Sequence, residues 1–238
     1  MNTKKFCVIV LGYFGSNLAI KLAEAGAEVI AIDKDADKVE EIASRVTIAV
    51  QLDSTDSDAL KAQDIKDFDA VIVAIGEGFE SSITTTAILQ EIGVKTIYNR
   101  IVSPLHQRLL KLMGITNLLV PEAEAAEHLA KQLVNPGLID TFPISNKYSI
   151  FIVHVPKKYV NVSVIDSKIR QQFNLNLITV KKLAIGAEND REALFAAETI
   201  GVPLPTYIFK ENDILVLFGC NIKHGMCFHI VARFTGKF

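Results

Sequence analysis

Six strand-length apolar runs alternate with helical segments through the first half of the chain, and this rhythm restricts the fold more than any single motif does. The runs are KKFCVIVL, EVIAID, VTIAVQLD, DAVIVAIG, KTIYNRI and NLLVP. Most are continuous rather than alternating in polarity, as strands buried on both faces of a parallel sheet must be. Residues 16–25, 35–43, 57–63, 80–92 and 104–113 carry the helical spacing between them. Gly26 and Gly93 stand where two of these helices should close, and Pro104 stands in a first turn. Regular strand–helix alternation predicts an α/β fold, a Rossmann-like doubly wound parallel sheet.

The rhythm breaks after residue 121. Residues 122–134 are helical, and NPG at 135–137 is strong punctuation. KYSIFIVHV, VSVIDSKIRQQF, LNLITVKKL and DILVLFG then read as strand, helix, strand and strand. The spacing predicts two domains, 1–140 for the parallel sheet and 141–238 for a smaller α+β unit. Half of the 238 residues are apolar, enough for two cores. A net charge of -2 gives no electrostatic case for nucleic acid. No apolar run approaches the roughly 18–20 residues that span a bilayer, and the N-terminus does not read as a signal peptide. Cys7, Cys220 and Cys227 are odd in number and lack metal spacing, so buried thiols in a reducing compartment are expected. The five histidines (His106, His128, His154, His224, His229) show neither HxH nor HExxH spacing, and no metal site is expected from them. These features describe a soluble intracellular protein.

The chemistry-bearing stretch is VLGYFG at residues 10–15. It is a G-x-G-x-x-G phosphate loop with Val10 in place of the first glycine. Gly12 would let a pyrophosphate approach the backbone, and Gly15 would let helix and strand pack closely. A positive φ at a β-branched residue costs roughly 1–2 kcal/mol, so Val10 is expected to continue the strand, with the turn one residue later. Asp33 ends the second run, 18 residues after Gly15, where an acidic residue accepts ribose hydroxyls and disfavours a 2′-phosphate. It could instead only cap the next helix. Asp53 ends the third run and either meets the adenosine or begins a turn. Gly76, followed by Ser81 and Ser82, offers either a second phosphate-facing loop or a helix cap.

Taken in order, VLGYFGSNLA, AIDKD, QLDSTDSDAL, FDAVIVAIGE, IYNRI and VPEAE resemble the TrkA/KtrA-type RCK proteins, cytosolic regulatory subunits of bacterial potassium channels and transporters. YSIFIVHV, VIDSKIRQQFNLNLITVKK and ENDILVLFG resemble that family's C-terminal subdomain. The resemblance implies a nucleotide site for ATP/ADP or NAD(H) built from Gly12, Tyr13, Phe14, Gly15, Asp33, Lys34, Asp53, Ser54, Gly76, Glu77, Arg100 and Glu122. Arg100 would face the phosphates, and Glu122 would carry a nucleotide-associated cation, Mg or Na. Tyr13-Phe14 stands where the family usually has arginine-phenylalanine, which puts sensing of the terminal phosphate in question. Cyclic di-AMP in the C-subdomain would meet Ile165, Arg170, Asn176 and Pro203, for which solvated surface, a turn or plain core are the alternatives. Apolar residues Leu105, Leu109, Leu112, Leu129 and Leu133 exceed what one sheet needs; in the family that is resembled such helices form a crossover dimer, whereas ordinary core packing explains each residue taken singly. The implied partners are a second copy, a higher ring (an octamer) and an integral-membrane potassium pore subunit; the implied place is the cytoplasmic face of the membrane. Two other functions fit the sheet: an NAD-dependent oxidoreductase, for which no catalytic His, Lys or Tyr-Lys pair is found, and a degenerate RCK module that only oligomerises.

Overall fold

The computed structural model describes residues 3–135, 137–183, 197–220 and Phe234. Cys227, His224 and His229 lie outside the described residues. The chain divides into two compact units, Met1–Pro121 and Glu122–Phe238. The division falls earlier than the boundary near 140 expected from the sequence. The helix Pro121–Val134 and the strand Leu138–Pro143 both precede residue 144, and that strand hydrogen-bonds into the second unit's sheet.

In the first unit the elements run β1 (Lys5–Ile9), α1 (Tyr13–Glu24), β2 (Glu28–Asp33), α2 (Ala36–Ala43), β3 (Ile48–Gln51), α3 (Ser57–Lys61), β4 (Ala70–Val73), α4 (Phe79–Ile92), β5 (Ile97–Arg100), α5 (Pro104–Leu112) and β6 (Asn117–Leu119). All strand pairs are parallel, in the order β3-β2-β1-β4-β5-β6. The continuous apolar runs follow from this layering. Cys7 and Ile9 pack into the core on one face of β1, and Val8 packs into the core on the other. Burial pushes the Cys7 thiol pKa up, which leaves it protonated and unreactive. Successive strands are added outward to one side from β1 and to the other side from β4, so the loops after these two parallel strands lead away in opposite directions and leave a crevice, the usual ligand position in such a sheet.

Capping fixes the helix starts. Asp35 accepts from the Asp37 N–H to open α2, Asp56 accepts from Asp58 and Ala59 to open α3, and Ser103 accepts from His106 to open α5. His106 is fully buried on α5, and burial lowers its pKa from the ordinary 6.5. The unfolded chain therefore binds a proton below about pH 6.5 that the folded chain refuses. Stability from this residue is full above that pH and is lost as the pH falls below it. Melting temperature should decline between about pH 7 and pH 5, and His106→Phe should flatten that part of the profile.

The second unit holds α6 (Pro121–Val134), β7 (Leu138–Pro143), β8 (Tyr148–His154), α7 (Val164–Ser167), α8 (Ile169–Phe173), β9 (Asn176–Lys182), β10 (Glu198–Thr199) and β11 (Asp213–Cys220). The sheet is antiparallel, ordered β10-β9-β11-β8-β7, over a core that includes Phe151, Leu175, Phe209, Leu215, Leu217 and Phe234. The single helix expected near 162–173 is broken at Lys168, whose φ of +48° ends α7.

Candidate functional site

The loop after β1 departs from the sequence expectation at Val10. This residue has φ +75° and takes the left-handed turn that the missing glycine usually makes. Its N–H donates to the Ile32 carbonyl at 2.7 Å, which closes the turn against β2. The bond helps to offset a strain of about 1–2 kcal/mol at a β-branched residue. The turn starts at Val10, and α1 starts at Tyr13, three residues before the predicted start. Gly12 is its N-cap, and the Ser16 N–H donates to the Gly12 carbonyl at 2.9 Å.

The turn points the Val10 carbonyl at Gly15. A Cβ on Gly15 would lie 2.1 Å from that oxygen, so residue 15 must be glycine for the loop to form. Gly12 is different. Its φ is -72°, and a Cβ there would meet nothing within 4 Å. Gly12 also lines the cleft beside this loop, so open space at this residue suits a phosphate approaching the backbone.

Asp33 is buried at the end of β2 and braces the loop. One carboxylate oxygen accepts the Leu11 N–H at 2.6 Å, and the other accepts the Asp35 N–H at 2.9 Å. The following helix is capped by Asp35, so helix capping is not what Asp33 does. Lys38 of α2 stands 3.8 Å from the carboxylate. Asp33→Ala should cost about 1–3 kcal/mol, because it leaves the buried Leu11 N–H without an acceptor. Urea denaturation would show the loss as a lower midpoint at unchanged slope.

A cleft of about 590 Å³ opens beside this loop. Of the sequence candidates, Gly12, Tyr13, Asp33, Lys34, Asp53, Ser54, Gly76, Glu77, Ser81 and Arg100 line it. The structure therefore gathers four separate βα loops at one place. Asp53 accepts from both the N–H and the hydroxyl of Thr55, and these bonds, with Lys34 nearby, lower its pKa. Ser54 is buried against Thr85 at 2.9 Å, which ties its loop to α4. Ser81 faces the cleft, whereas Ser82 is turned inward to Asn99. Arg100 ends β5 beside the Gly76 turn: a Cβ on Gly76 would lie 2.6 Å from a guanidinium nitrogen.

Phe14, Gly15 and Glu122 do not line the cleft; Gly15 lies against the Val10 carbonyl instead. Phe14, in the first turn of α1, is partly buried against the core, its ring 5.9 Å beneath the Arg100 guanidinium. Tyr13 lines the cleft at its rim, where it is 92% exposed. Glu122 belongs to the second unit, in the first turn of α6. Sequence reasoning missed Lys38 and the apolar walls Ile9, Ile32, Leu52, Ala74 and Ile75. The wall residues look like ordinary core in a sequence. Lys38 could have been found from its place one turn into α2, just past Asp33.

In the second unit Ile165 is exposed on α7, and its N–H donates to the Pro205 carbonyl at 3.0 Å, two residues after Pro203. Arg170 lies exposed on α8, and Asn176 opens β9. Among the described residues, no group of three or more His, Cys, Asp or Glu could hold a metal ion, and no helix is long and apolar enough to cross a membrane.

Comparison with known proteins gives concordant matches. The model of the TrkA-N domain matches residues 6–121. The chain is 34% identical over 216 residues to Ktr system potassium uptake protein C of Bacillus subtilis (strain 168), covering 91% of this chain and 92% of that protein. It is 28% identical over 219 residues to Ktr system potassium uptake protein A of the same organism, covering 92% and 93%. The crystal structure of the GsuK RCK domain shares the fold, with a TM-score of 0.63 at 16% identity over 99% of this chain and 48% of that one.

Proposed function

The chain belongs to the TrkA/KtrA family of potassium uptake proteins, and on that premise we propose that it is a cytoplasmic regulatory subunit whose first unit binds an adenine nucleotide. The observation that carries this is the open space at Gly12, in a loop where Gly15 is fixed by packing and Gly12 is not. Backbone N–H groups at the start of α1 and the Arg100 guanidinium would hold the phosphates. Asp53, Lys34 and the apolar cleft wall would hold the adenosine, with Asp33 fixing the loop and offering its remaining acceptor capacity to the ribose. ATP/ADP and NAD(H) share this part. A Mg or Na ion would need the nucleotide's own oxygens as ligands.

Tyr13 carries no charge at the rim, so ATP and ADP should bind with similar affinity. Leu105 and Leu112 on α5 and Leu129 and Leu133 on α6 are exposed in the single chain, which supports dimerisation through these helices. Dimers would assemble into a ring, an octamer by resemblance, on an integral-membrane potassium pore. The ring controls the pore only if nucleotides bind its alternative shapes with different affinities. Cyclic di-AMP is proposed as a second ligand, at Ile165, Arg170, Asn176 and Pro203 of two copies; two facing arginines suit a two-fold ligand with two phosphates. We assign no reaction to the cleft.

Potassium uptake by cells lacking this protein tests the regulatory role. Uptake should fall on deletion and return with the wild-type chain but not with a variant blocked at Gly12. Equal uptake in all three strains would refute it.

A further inference from the structure

His106 is a buried polar side chain that the nucleotide reading does not use. It sits in the first turn of α5 at 0% exposure, and its Nδ1 accepts the Val102 N–H at 3.3 Å. A nitrogen that accepts carries no proton, so the proton of the neutral ring is on Nε2. Among the described residues Nε2 has no hydrogen-bond partner. The imidazole has an aromatic neighbour: the Phe79 ring centroid stands 5.4 Å from its own, at an interplanar angle of 72°. In such an edge-to-face pair an N–H can point at a π face and be partly satisfied there.

These two contacts reach two different loops of the cleft. Phe79 is the first residue of α4, directly after the Gly76–Gly78 turn. Val102 follows Arg100 by two residues. On the cleft side the same loops meet where Arg100 packs against Gly76. His106 therefore joins from behind what Arg100 and Gly76 join in front. An apolar side chain would fill the same space without a buried polar cost, but it would give neither loop a direction.

We propose that His106 is a positioning residue for the phosphate end of the cleft: it holds Val102 through Nδ1 and faces Phe79 through Nε2–H, and so sets Arg100 against Gly76. The proposal rests on the nucleotide reading above. It identifies the phosphates, rather than the adenosine, as the part of the ligand that depends on His106.

Calorimetric titration of ADP and of adenosine against the full chain tests it, with melting curves as the check on folding. His106→Phe keeps a ring but removes the Val102 acceptor, and should weaken ADP about tenfold while leaving adenosine unchanged. His106→Asn places an amide oxygen near Nδ1 and should restore most of the ADP affinity. Phe79→Leu, at a partly exposed position, should weaken ADP by a smaller factor, and it carries the test if His106→Phe does not fold. Unchanged ADP affinity in the variants that fold would overturn the proposal. So would equal losses of ADP and adenosine, which would mean a merely structural role. A wild-type chain that binds neither ligand would overturn the nucleotide reading and this proposal with it, whereas wild-type binding that the variants do not alter would overturn this proposal alone.

Discussion

Gly15→Ala should destabilise the first unit by about 3 kcal/mol or more, at the upper end of overpacking costs. For a unit of this size that is a fall in melting temperature of roughly 10 °C. The added Cβ would lie 2.1 Å from the Val10 carbonyl oxygen and 3.2 Å from the Ala74 Cβ. Neither is the free end of a flexible side chain. The Val10 carbonyl cannot swing away cheaply, because the Val10 N–H is bonded to Ile32 and the adjoining Leu11 N–H is bonded to Asp33. The methyl group can be admitted only by lifting α1 off the sheet or by breaking the turn. A melting temperature within about 2 °C of wild type would mean that the loop is not built in this way.

Gly12→Asp, three residues away, should do the opposite. The backbone at residue 12 is in the extended region that any residue adopts, and the side chain would enter open space. The residue is the N-cap of α1, whose first turn carries no acidic group. Aspartate at that place accepts from the helix's free N–H groups and complements its dipole, so stability should hold or rise by about 0.5–1 kcal/mol. The same carboxylate would occupy the phosphate position and repel an anion there. Affinity for ADP should fall at least about a hundredfold, close to 3 kcal/mol. A folded, equally stable and ligand-blind protein is the expected outcome. If the variant binds ADP as tightly as wild type, the phosphates do not lie at Gly12.

These two glycines also show what could be read in the sequence. Their positions between a strand and a helix were visible, as were Asp33, Asp53, Gly76 and Arg100 at the ends of later strands. Each of those lies at the carboxyl end of an apolar run, and a parallel sheet delivers all such ends to one side. The conformation of Val10 was not legible. Local preference argues against a left-handed valine, and the contacts that offset it, such as the bond to the Ile32 carbonyl on a neighbouring strand, are tertiary. The bracing role of Asp33 was hidden for the same reason, since its partner Leu11 is 22 residues away in sequence.

The second unit was less legible because its signals are short and mixed. β7 contains Asp140, Thr141 and Pro143, which read as a connection, yet it forms an edge strand, where proline is tolerated. β10 has two residues and no pattern of its own. The earlier domain boundary follows from tertiary packing, which a helical pattern over 122–134 does not reveal. His106 could not be singled out. A histidine on an amphipathic helix carries no spacing signal, and its role depends on Phe79 and Val102 arriving from two separate loops.

The central claim is that the cleft between the β1 and β4 loops holds an adenine nucleotide. Thermal denaturation of the purified chain against increasing ADP tests it most directly, because a ligand that binds only the folded state must raise the melting temperature as its concentration rises. A saturable rise in wild type that is abolished in Gly12→Asp is the result expected. A melting temperature that does not respond to ADP, or a rise that persists undiminished in Gly12→Asp, would contradict it.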